Sequence, residues 1–378
     1  MRRMIKVLFF LPTLGNGGAE RVLINLVNNM DRKKFSITVI TIFNCGENRD
    51  LLATDIKYQY CLKRYYKGIA KIMKFISPKL LHNLFIREKY DIEVAYLEGI
   101  ATRIISGCNN SKTKIVSWVH TEFINKAFAS RIYRNCNETQ NCYKHYDYIV
   151  CVSEQVKQRF CELFSVDEKK VGVQYNTNDS DRIIELSSED IDDCYFNEDE
   201  TNIIAVGKII ENKGFDRLAR VQKQLRSDGI ATHIYIIGVG EDQSKIEKYL
   251  NDNELVGTFT FLGYKKNPYK YIKKCDMFVC SSYREGFSTA TTEALIVGTP
   301  VVTVSVSGMC ELLGNNNEFG IVVENDEQCL YEAIKDIIIN KEKLKYYSKK
   351  ALERGNHFNK SVTVLETENL LEKIVKTV

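Results

Sequence analysis

The chain has 378 residues, of which 44% are hydrophobic and 27% are charged, and its formal net charge at pH 7 is +4. This length exceeds what one ordinary hydrophobic core accommodates, so two globular domains are expected. No run of about 18 apolar residues marks a membrane-spanning helix, and so small a net charge argues against a nucleic-acid partner.

Short apolar segments alternate with helical patterns along the whole chain. Strands are predicted at 5–11, 36–43, 115–120, 148–153 and 171–176, and then at 203–206, 233–237, 258–262, 277–280, 301–304 and 320–323. This alternation predicts an α/β fold with two doubly wound, Rossmann-like parallel sheets. Such sheets bind ligands beyond the carboxyl ends of their strands, so we expect the two domains to face each other across a ligand-binding cleft.

The domain limits follow from composition. The stretch 179–200 holds ten acids and one base, Arg182, which predicts an acidic linker. We therefore expect a first domain at 1–178, a second at 201–360, and a C-terminal helix at 361–378 that packs back on the first domain.

The cysteines and the N-terminus indicate the compartment. Twelve cysteines are scattered without a C-x-x-C pair, and Cys151, Cys275, Cys280 and Cys329 lie in apolar elements. This distribution predicts reduced thiols in a cytoplasmic protein and no zinc site. The apolar run at 5–12 is short and is followed by Gly-Asn-Gly-Gly, which indicates a buried strand rather than a signal peptide.

A glycine-rich turn follows the first predicted strand. Gly17 and Gly18 open the next helix, where glycine allows a phosphate close to the backbone amides. The turn does not match G-x-G-x-x-G, and no ribose-binding acid ends the second strand, so a dinucleotide site is disfavoured. An ordinary glycine turn is the alternative interpretation.

Three further groups of residues lie after predicted strands. Lys208 and Lys213 share one loop and could hold a diphosphate, unless they are only solvated surface lysines. His120 ends another strand, in either a structural or a substrate-binding role. In 285–293, small and hydroxylated residues separate Glu285 from Glu293 at the start of a helix, which predicts an anion site on open helix amides.

Together these motifs resemble the retaining, nucleotide-sugar-dependent glycosyltransferases of family 4, group 1 type, which have the two-domain GT-B fold. The resemblance covers nearly the whole chain. Its residues are Gly17 to Arg21, His120, Ser153 and Glu154, Asn176, Gly207 to Gly214, Gly238 to Gly240, and Glu285 to Glu293.

The resemblance implies a role for each site residue. Lys208 and Lys213 would hold the donor diphosphate, and Glu293 would bind the nucleotide ribose. Glu285 would contact the donor sugar and His120 would reach it from the first domain, both as catalytic residues. The remaining residues implied in donor binding are Gly17, Gly18, Gly286, Phe287 and Ser288.

The chain departs from the family pattern in two places. Position 208 is Lys where many relatives have Arg, which keeps the charge but loses bidentate geometry. The stretch 288–292 replaces a Gly-Leu-Pro type of run, and this change bears on the choice of sugar.

The implied reaction moves a hexose or N-acetylhexosamine from a nucleotide diphosphate sugar, with UDP favoured over GDP, to a saccharide acceptor. The resemblance favours a lipid-linked acceptor in the synthesis of a cell-surface polysaccharide, such as capsule or lipopolysaccharide. Lysines and helix amides would stabilise the leaving diphosphate, so neither a metal nor another cofactor is expected. The alternatives are a nucleotide-sugar epimerase or hydrolase of the same fold, and a non-catalytic partner subunit.

The segment 57–89 is the most basic part of the chain. It holds nine bases and one acid, Glu88, interleaved with tyrosines and aliphatic residues. Such a stretch can lie on an anionic membrane surface, which would make the protein peripheral on the inner face of the cell membrane. The alternative is a solvated helix face.

Overall fold

A computed structural model describes residues 3–15, 17–66 and 68–376. Asn16 of the glycine-rich turn, Lys67 of the basic segment and the terminal residues 1–2 and 377–378 of the predicted domains lie outside the described residues. The chain forms two compact units, one of Met1–Thr177 with Lys360–Val378 and one of Asn178–Asn359.

Each unit contains one parallel sheet. The strands of the first unit are β1 (Ile5–Leu11), β2 (Phe35–Phe43), β3 (Lys57–Leu62), β4 (Ile92–Ala95), β5 (Lys114–Val119), β6 (Tyr148–Cys151) and β7 (Val171–Val173). Those of the second unit are β8 (Thr201–Val206), β9 (Thr232–Ile237), β10 (Phe259–Gly263), β11 (Met277–Cys280), β12 (Val301–Val304) and β13 (Ile321–Val323). The predicted α/β fold with two parallel sheets is confirmed.

Helices connect the strands, as parallel pairing requires. They are α1 (Gly18–Asn29), α2 (Ile69–Met73), α3 (Pro78–Phe85), α4 (Ile100–Ile105), α5 (Lys126–Ala129), α6 (Cys136–His145), α7 (Glu154–Leu163), α8 (Ser180–Leu186), α9 (Phe215–Ser227), α10 (Gln243–Asp252), α11 (Tyr269–Lys274), α12 (Thr289–Val297), α13 (Met309–Leu313), α14 (Glu327–Ile339), α15 (Lys341–Gly355) and α16 (Lys360–Lys376). Within the described ranges, no helix combines the length and apolar character needed to cross a membrane.

The strand order reverses once in each sheet. The first sheet runs β3-β2-β1-β4-β5-β6-β7 and the second runs β10-β9-β8-β11-β12-β13. Strands β1 and β4 are therefore neighbours although three helices and two strands separate them in sequence, and β8 and β11 adjoin in the same way. The loops that follow these strands leave in opposite directions and open a crevice at the carboxyl edge, where α/β sheets bind ligands.

The basic segment 57–89 is not one helix. It begins with the edge strand β3 and continues through α2 and α3, and neither β3 nor β4 was predicted from the sequence. β4 has only four residues and includes Glu93, and β3 at the sheet edge contains Lys57 and Gln59 and has no fully buried residue. Neither strand therefore shows the continuous apolar run of a central strand.

The acidic stretch 179–200 lies in the second unit. Its helix α8 buries Ile183 against Tyr269 and Ile296. Asp193 accepts a hydrogen bond of 2.6 Å from the Tyr271 hydroxyl and pairs with Lys265. The stretch is thus fastened to α11 and α12 by an apolar contact and by charge.

Helix α16 lies in the first unit and packs on α1. Its buried Glu368 accepts a hydrogen bond of 2.6 Å from the Asp31 amide and also pairs with Lys34. The twelve cysteines are all free thiols, and Cys151, Cys275 and Cys280 are buried.

A buried ion pair links α3 to β4 in the first unit. His82 Nε2 lies 2.6 Å from Glu93 Oε2, and both side chains are buried. Burial disfavours the charged imidazolium, but the Cys108 thiol and the Glu93 carboxylate outweigh it and raise the pKa of His82 to about 9.

This pair predicts a pH-dependent stability. The pKa of His82 in the folded protein lies above the ordinary value of 6.5. The stabilisation that the protonated His82 gives the folded state is therefore complete below pH 6.5 and is lost as the pH rises through about 9. We expect the free energy of unfolding of the first unit to fall by roughly 3 kcal/mol over that range, at about 1.4 kcal/mol per pKa unit. Urea unfolding followed by fluorescence of Trp118, the single tryptophan, measures it.

The variant His82→Gln should lose this slope, whereas His357→Gln, at an exposed histidine of the second unit, should keep it. A wild-type slope that His82→Gln leaves unchanged would contradict the assignment.

Candidate active site

Two loops of the second unit meet where its strand order reverses. One follows β8 and carries Lys208 and Lys213, and the other follows β11 and carries Glu285. Gly214 permits this close approach of the two loops. Its φ is +64°, and a Cβ there would lie only 2.0 Å from the Ser281 carbonyl oxygen. Ser281 Oγ also donates to the Lys213 carbonyl oxygen at 3.0 Å.

Lys213 and Glu285 form an ion pair across these loops. Lys213 Nζ donates to Glu285 Oε1 at 2.6 Å, and the Ser282 hydroxyl donates to the same oxygen at 2.6 Å. The Glu285 side chain is only 11% exposed, so both bonds lie in a largely dehydrated environment. The carboxylate is thereby held through one oxygen, in a fixed orientation at the sheet edge.

The charge of Lys213 is maintained by its partner. Burial disfavours the ammonium form, but the Glu285 carboxylate outweighs it and raises the pKa of Lys213. Lys208 lies five residues earlier in the same loop and is exposed. The two predicted diphosphate ligands therefore differ, since Lys213 is bound to Glu285 and Lys208 extends into solvent.

The glycine turns after β8 and β9 have a structural cause. A Cβ at Gly238 would lie 1.8 Å from the Gly207 carbonyl oxygen, and one at Gly240 would lie 2.1 Å from that of Ile209. Ile209 also donates its amide to the Val239 carbonyl at 3.0 Å. Glycine is thus required at 238 and 240 because the loop of Lys208 packs directly on this turn.

The segment that joins the two acids forms the start of α12. Ser288 is its N-cap and accepts a hydrogen bond of 3.2 Å from the Thr291 amide. The sequence predicted open helix amides here, but the Thr291 amide is instead capped by the Ser288 side chain. Gly286, Phe287 and Ser288 are buried beside Glu285, and Glu293 lies one turn into α12, partly exposed.

In the first unit, the predicted glycine turn lies at the carboxyl end of β1. Gly17 is the N-cap of α1, which begins at Gly18, and a Cβ at Gly17 would lie 2.2 Å from Glu20 Oε2. Glycine at 17 therefore leaves room for the Glu20 carboxylate at the start of the helix. Asn48 holds the turn through its backbone amide, which donates to the Leu14 carbonyl oxygen at 3.1 Å.

His120 follows β5, two strands from the glycine turn in the same sheet. Its amide donates to Glu98 Oε2 at 3.1 Å, and its ring contacts Tyr96 at 4.8 Å between centroids. Burial lowers the pKa of His120 to about 3, so the imidazole is neutral at physiological pH. Burial also raises the pKa of the Glu98 carboxyl.

Three neighbouring aromatic side chains carry buried polar atoms that need a partner. Tyr96 Oη, Trp118 Nε1 and His120 Nε2 have no hydrogen-bond partner in the described part of the chain. Their rings are in contact, with Tyr96 and Trp118 at 5.1 Å between centroids. Buried polar atoms are nearly always bonded, so such a group indicates a place for a polar ligand or water.

Sequence reasoning missed Ser282, Glu98 and Tyr96. Glu98 precedes Gly99 after a short apolar strand, and Glu285 precedes Gly286 in the same way. This shared pattern would have found Glu98 if β4 had been recognised. Among the described residues, the side chains close enough to share a metal ion are His82, Glu93 and Cys108, near the amino end of β4 and not at the carboxyl edge.

Each half of the chain matches a model of a known protein family. Residues 16–182 match the family model described as Glycosyltransferase Family 4, and residues 188–354 match the one described as Glycosyl transferases group 1. The two matches do not overlap and together cover most of both units.

Individual relatives extend over nearly the whole chain. One is an N-acetylgalactosamine-N,N'-diacetylbacillosaminyl-diphospho-undecaprenol 4-alpha-N-acetylgalactosaminyltransferase of Campylobacter jejuni, 29% identical, with 94% of this chain and 96% of the relative covered. Another is the lipopolysaccharide core biosynthesis glycosyltransferase LpsE of Rhizobium meliloti, 23% identical, with 85% and 86% covered.

Among solved structures, Anabaena Alr3699/HepE in complex with UDP superimposes with a TM-score of 0.75 at 16% identity, over 98% of this chain and 100% of that one. This likeness concerns the fold. The two family matches show that the chain belongs to the family 4, group 1 glycosyltransferases, and the structural likeness shows that it has the two-domain GT-B fold.

Proposed function

We propose that this glycosyltransferase moves a hexose or N-acetylhexosamine from a UDP-sugar to a saccharide acceptor with retention of the anomeric configuration. The observation that carries the proposal is the bonded group Lys213, Glu285 and Ser282 where the strand order of the second sheet reverses. It combines a cation for a diphosphate with an oriented carboxylate for a sugar. UDP is favoured because the HepE structure of the same fold holds UDP.

The Lys213 ammonium can serve both partners. It has three N–H donors, and its bond to Glu285 leaves others for a phosphate oxygen. Lys208, exposed in the same loop, supplies a second cation. When the bond between the anomeric carbon and the phosphate oxygen breaks, negative charge grows on the β-phosphate, and these two lysines stabilise it without a metal ion.

Glu285 acts on the sugar side of the same bond. Its carboxylate, held at one oxygen, stabilises the positive charge of the oxocarbenium-like transition state. The acceptor hydroxyl attacks the sugar on the same face from which the leaving group departs, and its proton passes to the departing phosphate oxygen. One C–O bond breaks and one forms, with no covalent intermediate on the protein.

We assign the sugar hydroxyls to the first unit. The neutral His120 accepts or donates one hydrogen bond through Nε2, and Tyr96 Oη and Trp118 Nε1 lie beside it with their hydrogen bonds unmade. Hydroxyl groups of a sugar, directly or through a water, would satisfy these atoms. Gly17 and Gly18 form the adjoining edge, and Glu293 binds the ribose of the donor.

The acceptor that we propose is a lipid-linked saccharide in cell-surface polysaccharide synthesis. The Campylobacter jejuni relative acts, by its name, on a diphospho-undecaprenol-linked sugar, and LpsE acts in lipopolysaccharide core synthesis. We therefore place this protein on the inner face of the cell membrane as a peripheral protein.

A nucleotide-sugar panel tests the donor assignment. A bound donor raises the melting temperature by mass action, so UDP-sugars should raise it more than GDP-sugars at equal concentration. Product formation with the stabilising donor should require an acceptor, and NMR of the product should show the anomeric configuration of the donor. Turnover of the donor without acceptor would instead indicate a hydrolase or epimerase, and an inverted product would exclude retention.

Substitution of the two acids should separate turnover from donor binding. Glu285→Gln removes the charge that stabilises the transition state, so we expect kcat to fall by about 10²- to 10³-fold. Glu293→Gln removes a ground-state contact and should raise the donor KM about tenfold with little change in kcat. The control Glu342→Gln, at an exposed glutamate of α15, should leave both constants unchanged. Equal effects of the two site variants on KM alone would refute the separate roles.

Ser282 should act through Glu285 as a positioning residue. Ser282→Ala removes one of the two bonds that orient the carboxylate, and a hydrogen bond to a charged group is worth about 1.5–3 kcal/mol. We expect kcat to fall by about tenfold or more while the donor KM stays nearly constant. Ser187→Ala, which removes a buried serine bonded to the Ile184 carbonyl, controls for loss of stability. A loss of melting temperature with unchanged kcat would leave Ser282 only a structural role.

A further inference from the structure

The helices α2 and α3 and the turn between them present apolar side chains to solvent. Ile72 is 65% exposed, Phe75 is 80% exposed and Leu80 is 60% exposed. We call these three residues the apolar tip. Single exposed apolar residues are common, but three large ones within nine residues form a group that needs an explanation.

A buried arginine holds the backbone of this turn. Arg103 is fully buried and paired with Glu138 at 2.9 Å. Its guanidinium donates to the carbonyl oxygens of Met73 at 2.9 Å, Lys74 at 3.1 Å and Ile76 at 2.7 Å. A guanidinium removed from water is costly unless it is fully bonded, and here this turn supplies most of the bonds.

A second arginine fixes the same turn. Arg134 donates to the carbonyl oxygens of Lys74 at 3.1 Å and of Phe75 at 2.6 Å. Lys74 in turn donates to the Arg131 carbonyl at 3.3 Å. The backbone is therefore held from the protein side while the Phe75 side chain extends outward, so little conformational entropy remains to be lost when Phe75 docks.

Cations lie beside the apolar tip. Lys79 directly precedes Leu80 and is exposed, and the exposed Arg134 is bonded to the turn at Phe75. The segment 57–89 also carries exposed bases at Lys57, Lys63, Arg64, Arg87 and Lys89. Its one acid, Glu88, is already paired with Lys57. The apolar tip is thus flanked by cations on a segment with a net positive charge, which complements a layer of anionic head groups above acyl chains.

We propose that the apolar tip and the bases beside it dock the first unit on an anionic lipid bilayer. Phe75 and its neighbours enter the boundary between head groups and acyl chains, and Lys79 and the other bases bind lipid phosphates. A second copy of this chain fits less well, because two such basic surfaces repel each other. The proposal deepens the peripheral location proposed above and rests on it, but it depends on no step of the transfer reaction.

Vesicle flotation of the full chain without any sugar donor tests the docking surface. The vesicles contain phosphatidylcholine alone, or with phosphatidylglycerol as about one third of the lipid. We expect binding to the phosphatidylglycerol vesicles only, weakened by high salt. Phe75→Ser should weaken the partition about tenfold, as expected for loss of a buried aromatic side chain, and Lys79→Glu should weaken it at low salt.

Matched substitutions in the second unit serve as controls. Tyr195→Ser changes an aromatic residue that is 81% exposed, and Lys248→Glu reverses an exposed lysine of α10. Both should float as the wild type does. The proposal fails if the wild type ignores phosphatidylglycerol, or if Phe75→Ser binds as well as Tyr195→Ser. It also fails if Phe75→Ser only abolishes self-association in sedimentation. Because no donor is present, a failure here leaves the donor panel as a separate test of transfer.

Discussion

The ion pair between Lys213 and Glu285 is the interaction on which the proposed chemistry depends. It can form only because β8 and β11 are neighbours, although α9, β9, α10, β10 and α11 lie between them in sequence. Gly214 then allows the β8 loop to approach the β11 loop at a distance that a side chain would forbid. The contact between these two charges is thus a consequence of the strand order. The burial of the ion pair strengthens its electrostatic attraction, and the hydrogen bond from Ser282 orients the Glu285 carboxylate.

The first unit uses the same principle with different chemistry. Its sheet also reverses, between β1 and β4, and places the glycine turn, Glu98 and His120 along one edge. The candidate residues described at this edge include no lysine. Instead, burial keeps His120 neutral and leaves aromatic polar atoms in need of partners. We therefore propose that the edge of the second sheet binds an anion and that the edge of the first sheet binds hydroxyl groups.

The sequence was sufficient for the fold class and for most strands, because the central strands of parallel sheets are continuous apolar runs. It was insufficient where local pattern and tertiary role differ. The short β4 escaped detection, and Glu98 was missed with it. The bond between Lys213 and Glu285 joins residues 72 positions apart, so no local pattern could predict it. The basic segment was recognised by composition, but the buried Arg103 that fixes its turn came from the structure.

Calorimetric titration with UDP is the most direct test of the central claim, that the group around Lys213 binds the diphosphate of a nucleotide sugar. The account predicts that the wild type binds UDP without added metal. It also predicts that Lys213→Gln weakens binding by at least about tenfold, as expected for loss of a partly buried charge contact, whereas Lys248→Gln binds as the wild type does. Undiminished binding of UDP by Lys213→Gln, or no binding by the wild type, would contradict the account.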